Sequence, residues 1–225
     1  MFKDFSEVMK ENTASVLTDM FKELDSQASI QLNSFENEKT ALIIVDMVNG
    51  FVKEGALSSP RVLAINERTA ELVKACNENK IEMLAFCDIH DKDCQEFVSY
   101  PPHCICETQE EEITSEIQKN FSGTEVKKNS TNGFIEPEFQ KWLENHNNNI
   151  ENFIICGCCT DLCVLQFALS LKTDFNRRNL NKRVIVIQSL CETYDGGSHG
   201  GDISNLFAFY NMKTNGIEVP KDIVF

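Results

Sequence analysis

The sequence predicts a doubly wound α/β fold: a mostly parallel, six-stranded sheet with helices on both faces, plus an extra N-terminal helix. Three observations predict it. Short unbroken apolar runs recur along the chain, stretches of helical periodicity separate them, and polar clusters close the runs.

The runs at residues 41–45, 81–87, 153–156 and 184–187 are apolar but for Glu82 and carry β-branched residues. That pattern suits strands buried on both faces, as in a parallel sheet. A weaker strand at 124–127 and a last one at 217–219 complete six. Between them, Ile65, Thr69, Leu72, Val73 and Cys76 mark one face of a helix, and Phe139, Trp142, Leu143 and His146 mark a shorter one. Cys163, Val164, Phe167, Ala168 and Leu171 give a largely apolar, hence buried, helix, and Ile203, Leu206, Phe207 and Tyr210 give another. Strands alternating with helices are the signature of right-handed βαβ units. Val16, Leu17, Met20, Phe21 and Leu24 predict an amphipathic helix packed on this body. The division expected is an N-terminal helical extension over 1–38 and one α/β domain over 39–225, with the polar stretch 145–149 a loop rather than a linker.

Composition excludes several classes. With 225 residues, 42% apolar and 25% charged, the chain has room for one sizeable core. A formal charge of −14 argues against nucleic-acid binding, which needs clustered Lys and Arg. Charged residues interrupt the first 24 positions, and no segment approaches the ~20 apolar residues of a membrane span. A cytoplasmic protein with no membrane partner is expected. On that reading the ten cysteines are reduced thiols, most acting as small hydrophobes in apolar runs, as Cys87 and Cys156 do.

In doubly wound sheets, ligands bind outside the carboxyl ends of the strands. Asp46 ends the first run, Asp88 the second, Lys127 and Lys128 the third, and 158–163 follow the next. A carboxylate closing a buried strand, as Asp46 does, is costly to desolvate unless it handles a cation or a thiol proton; capping the next turn is its other use. Thr160 and Asp161 are good helix caps, so Cys163 should lie in the first turn of the following helix, where free N–H groups lower a thiol's pKa and can hold an oxyanion. A buried structural thiol is the alternative. Cys156, Cys158, Cys159 and Cys163 do not form two Cys-x-x-Cys knuckles, which weakens a zinc reading of them. Asp88 and His90, two apart after a strand, point the same way, and His103 behind Pro101-Pro102 can complete a facial ligand set for Zn²⁺, Fe²⁺ or Mn²⁺. Ordinary polar loop histidines fit the same pattern.

Taken together, Val45-Asp46-Met47-Val48-Asn49-Gly50-Phe51, Gly55-Ala56-Leu57, Asp88-x-His90, Pro101-Pro102-His103-Cys104, Lys128 six residues before Phe134, and Gly157-Cys158-Cys159-Thr160-Asp161-Leu162-Cys163-Val164 resemble the isochorismatase-like cysteine hydrolases, and within them the nicotinamidases. The resemblance spans about 40–219. It implies a catalytic set of Cys163 as nucleophile, Asp46 as base and Lys128, which fits its distance to Phe134 better than Lys127. It further implies a cis peptide at Cys158–Cys159, oxyanion donors from the backbone of Cys159 and Cys163, and metal ligation by Asp88, His90 and His103. Glu96 stands where a fourth ligand can occur, and Phe51, Tyr100 and Leu162 stand at the substrate pocket. Tyr100 replaces a common tryptophan, Cys158-Cys159 replaces Val-Ala or Ile-Ala, and Asn132-Gly133-Phe134 replaces Ser-Ala-Phe. His199, near Glu192-Thr193-Tyr194-Asp195, is expected to cap or pack rather than catalyse.

The expected activity is hydrolysis of a small-molecule amide, nicotinamide first, through a thioester, with a divalent metal (zinc, or iron or manganese) orienting the ring and the chain forming a homo-oligomer. An amidase or carbamoyl hydrolase of the same fold acting on a non-pyridine amide is the alternative enzyme. A catalytically silent metal- or ligand-binding homologue is the alternative outside enzymes.

Overall fold

The computed structural model describes residues 12–146 and 148–225. The first eleven residues of the expected N-terminal extension lie outside them. From the N-terminal side, α1 (Thr13–Asp25) leads into β1 (Ile30–Gln31) and the first sheet-centre strand, β2 (Thr40–Val45). Then come α2 (Asn49–Val52), α3 (Pro60–Glu78), β3 (Glu82–Asp88), α4 (Ser115–Gln118), β4 (Thr124–Lys128), α5 (Pro137–His146), β5 (Asn152–Cys158), α6 (Leu165–Arg177), β6 (Arg183–Glu192), α7 (Gly201–Thr214) and β7 (Ile223–Val224). Strands β2 to β6 form one all-parallel sheet in the order β4-β3-β2-β5-β6. A two-stranded parallel sheet pairs β1 with β7.

Side-chain alternation along each strand builds two cores. Leu42, Ile44, Met83, Ala85, Ile154, Cys156, Ile185 and Ile187 face α3, which buries Val62, Ile65, Leu72, Val73 and Cys76 against them. Ala41, Ile43, Val45, Leu84, Phe86, Phe153, Ile155, Val184 and Val186 face α5, α6 and α7. Helix α3 starts where it does because Ser59 accepts a hydrogen bond from Arg61 N and Pro60 occupies the first helical position. All ten cysteines are free and eight are buried, as expected of small apolar residues. No helix of the described residues is long and apolar enough to cross a membrane.

Three expectations need correction. The central sheet has five strands, not six. Segment 217–219 does run parallel to β6, with Glu218 N donating to Val184 O and Val186 N to Glu218 O, but it stops at a bridge. Pro220 follows and has no N–H to continue the ladder. Helix α7 buries Ala208, Phe209 and Met212, leaving Ile203 and Phe207 about half exposed. Residues 206–209 are apolar in succession, so periodicity could not choose its face. In α1, which packs on α7, Met20 and Leu24 are buried while Val16 and Phe21 are exposed.

Candidate active site

The strand order reverses between β2 and β5: from β2 the chain goes outward to β3 and β4, then returns to β5 and goes outward to β6. The loops leaving β2 and β5 therefore diverge, opening a crevice at their carboxyl ends. Asp46 leaves β2 there in the left-handed region, φ 53°, fully buried, its N–H donating to Phe86 O. Gly157 pairs with Val45 across the same gap at φ 121°, and any Cβ there would lie 2.0 Å from Val45 O, so only glycine allows the two strands this approach.

Lys128 reaches this crevice from β4. Its ammonium lies 2.5 Å from Asp88 Oδ1 and 3.0 Å from Asp46 Oδ2, with all three side chains essentially solvent-free. The approach to Asp46 is an ion pair without hydrogen-bond alignment, and among the described residues no aligned donor serves either Asp46 oxygen. Burial opposes the Lys128 charge, but Asp46 and Asp88 outweigh it and hold the ammonium well above the usual lysine range. The two carboxylates divide unequally. Burial, helped by repulsion from Asp88, raises Asp46 to about 7 against the pull of Lys128 and of the Cys163 thiol. Asp88 is also opposed by burial, yet Lys128, His103 and His90 together hold it well below the carboxylate range.

Cys163 sits in a π-helical turn, Thr160–Val164, that leads into α6, with Val164 N donating to Cys159 O. Its placement at a helix start is as expected; its acidity is not. Only 7% exposed, the thiol is pushed well above its usual range by burial and by Asp46, with Lys128 pulling the other way. Thr160 and Asp161 do not cap the turn. Asp161 instead accepts hydrogen bonds from Thr193 Oγ1 and His199 Nε2. The Cys158–Cys159 peptide is cis, and Cys158 Sγ donates to Asp46 O.

The loop after β3 brings the histidines together. His90 N donates to Cys104 O and Cys106 N donates to His90 O, which sets His103 beside His90 with ring centroids 4.7 Å apart. Both Nε2 atoms point at Asp88 Oδ2, at 2.9 and 3.0 Å, and one ligand atom from each residue lies within 4.8 Å of the others. The remaining ring nitrogens are tied down, His90 Nδ1 to Asn129 Oδ1 and His103 Nδ1 to Pro101 O, both at 2.8 Å. With each Nδ1 anchored on an oxygen, the two Nε2 atoms, once deprotonated, would face a cation together with Asp88 in place of their present contacts with it, so these residues fit a divalent metal. Glu96 lies outside this group of three and lines the adjoining cavity instead.

That cavity, about 270 Å³ and mostly apolar, is lined by Phe51, Tyr100, Cys159, Leu162 and Cys163 together with Asp88, Glu96 and His103. Leu57, Ser99, Pro101, Thr131 and Tyr194 also line it. Of these, Thr131 and Ser99 carry no sequence signal beyond ordinary loop polarity. Tyr194 could have been found from its place after β6, a strand end like the others. Phe51 packs on His103 at 5.5 Å between centroids, and Tyr100 at 6.3 Å.

Comparison with known proteins agrees with this layout. Residues 40–215 match the family model of the isochorismatase domain. Nicotinamidase 1 of Arabidopsis thaliana is 26% identical over 231 residues, covering 90% of this chain and 93% of that protein. The crystal structure of nicotinamidase PncA from Bacillus subtilis superposes with a TM-score of 0.68 at 24% identity, covering 81% of this chain and 99% of the other. Pyrazinamidase of Pyrococcus horikoshii in complex with zinc gives a TM-score of 0.65 at 21% identity, over 80% and 98% of the two chains. With more than three quarters of its length matched by the domain, the chain belongs to the isochorismatase family.

Proposed function

We propose that this protein is a cysteine amidohydrolase that converts nicotinamide to nicotinate and ammonia. The observation that carries the reading is the convergence of Asp46, Lys128 and Cys163 at the carboxyl edge of the sheet, beside a ring-sized apolar cavity. The family match and the nicotinamidase relatives support hydrolysis of a carbon–nitrogen bond.

Cys163 rests as a thiol and Asp46 as a carboxylate at pH above about 7, so the proton moves during attack rather than before it. Asp46 takes the thiol proton while Sγ bonds to the carboxamide carbon, and the backbone N–H groups of Cys159 and Cys163 receive the oxyanion. Protonated Asp46, with its pKa near neutrality, then delivers the proton to the leaving nitrogen, and ammonia departs. In the second half Asp46 removes a proton from water, the hydroxyl attacks the thioester, and Cys163 leaves with that proton returned. Lys128 keeps a positive charge beside Asp46 throughout, which favours its carboxylate form. Phe51, Tyr100 and Leu162 enclose the ring.

Asp88, His90 and His103 would hold a divalent ion, zinc by the chemistry of the donor set, with iron or manganese fitting as well. When bound, such an ion supplies a Lewis-acidic anchor for a pyridine nitrogen. The reading is tested by mixing protein with nicotinamide, quenching in acid and analysing the peptide that carries Cys163 by mass spectrometry. A nicotinoyl thioester on Cys163 is expected; full turnover with no Cys163 adduct, in a variant lacking the thiol, would sink the mechanism.

A further inference from the structure

Asp161 belongs to the turn that carries Cys163, yet its carboxylate is spent on the loop after β6. Oδ1 accepts the Thr193 hydroxyl at 2.6 Å and Oδ2 accepts His199 Nε2 at 2.7 Å. Thr193 is fully buried, and Asp161 and His199 are each only about one fifth exposed, so these bonds are shielded from water. The second imidazole nitrogen, Nδ1, faces Tyr194 O at 2.8 Å. The imidazole also lies flat on the Tyr194 ring, centroids 4.0 Å apart and planes 9° apart. Tyr194 lines the substrate cavity beside Cys159, Leu162 and Cys163.

The loop's other ties are local: Gly196 N donates to His199 O and His199 N to Gly196 O. Gly197 and Gly200 have nothing within reach of a Cβ, and Gly197 has φ 56°. At its far end Asp195 accepts Gly201 N at 2.7 Å, capping α7, and pairs with Arg61. Between those anchors, the His199 side chain touches both the nucleophile turn and the cavity wall.

We propose that His199 is a positioning residue with two separable tasks: through Asp161 it fixes the turn bearing Cys163, and through its ring it fixes Tyr194 as a wall of the substrate cavity. This rests on the cysteine amidohydrolase reading, in which Cys163 is the nucleophile. The tasks use different parts of the imidazole. A donor suffices for Asp161; a flat ring suffices for Tyr194.

Two substitutions separate them. His199→Phe keeps the ring and loses the donor, so kcat should fall about tenfold or more, since small displacements of a nucleophile are costly, with KM within about twofold. His199→Gln keeps an N–H for Asp161 and loses the stack, so KM should rise about fivefold while kcat stays within about twofold. Both proteins are checked for wild-type circular dichroism and melting temperature. Alkylation of Cys163 by iodoacetamide, followed by mass spectrometry, reads the turn without any amide turnover: faster in His199→Phe because the buried thiol is loosened, unchanged in His199→Gln. If both variants lose kcat and KM together in step with melting temperature, or if neither parameter moves, the proposal is overturned and His199 is structural packing only. Failure of the wild-type protein to hydrolyse any amide counts against the parent reading, and the alkylation comparison still decides the role of His199.

Discussion

Asp88 and Lys128 are register partners on β3 and β4, and the single ammonium between them also pairs with Asp46, 3.0 Å away. One cation thus serves both the proposed base and a proposed metal ligand. The parallel register sets this: it places Lys128 beside Asp88 at the sheet edge, with only β3 between it and the strand that ends at Asp46. The proposed proton-transfer and metal-binding halves of the site meet at this nitrogen.

Removing that cation should be costly. Lys128→Met leaves Asp46 with no counter-charge and Asp88 with only its two histidines, and breaking a buried ion pair typically costs about 3–5 kcal/mol. Urea unfolding near neutral pH should show a loss of that order, partly restored in Lys128→Met/Asp46→Asn, where only one carboxylate remains. A single variant within about 1 kcal/mol of wild type would mean that the lysine does not hold the two acids together.

The raised pKa of Asp46 fixes the sign of two pH effects. As a base it works only as a carboxylate, so kcat/KM should fall about tenfold per unit as pH drops below about 7. In stability the same shift acts oppositely to an ordinary salt-bridged acid. A folded pKa raised above the unfolded one favours the folded, protonated form at low pH, and that advantage is lost as pH rises from the usual carboxylate range through about 7. Asp46→Asn carries no such loss, so its stability relative to wild type should improve between pH 5 and 8. An acid limb below pH 5, or a stability difference flat with pH, contradicts the buried-base assignment.

Metal removal should separate binding from chemistry. Asp88, His90 and His103 converge, while the Cys163 and Asp46 pair does not include them. His103→Ala should lower metal content, measured by inductively coupled plasma mass spectrometry, to near zero. Its KM for nicotinamide should rise more than its kcat falls, and zinc, iron and manganese added back to chelator-treated wild type identify the ion by recovery of KM. Unchanged metal content in His103→Ala would remove this histidine from the ligand set.

Much of this was legible in the sequence because of how parallel sheets bury their strands. Apolar runs ending in Asp46 and Asp88, and a weaker strand ending in Lys128, had to place those groups at one edge, and the sheet does so. What stayed hidden depends on partners far along the chain. Asp161 looked like a cap because Asp favours helix starts, but the Thr193 hydroxyl and His199 imidazole, more than thirty residues on, compete for its oxygens and win. The environment of Cys163 stays hidden for a related reason: helix-start placement is readable, whereas 7% exposure beside Asp46 is not. The bridge at Glu218 fell short of a strand because Pro220 follows it, a local signal that the apolar pattern outweighed.

Ammonia release from nicotinamide by the purified, zinc-loaded protein, run beside Cys163→Ala, tests the central claim most directly. Wild type should turn over, and Cys163→Ala should lose at least about 10³-fold in kcat while keeping its fold, as removal of a nucleophile does. Ammonia release that persists in Cys163→Ala, or none from folded, metal-loaded wild type, would contradict a nicotinamidase built on this cysteine.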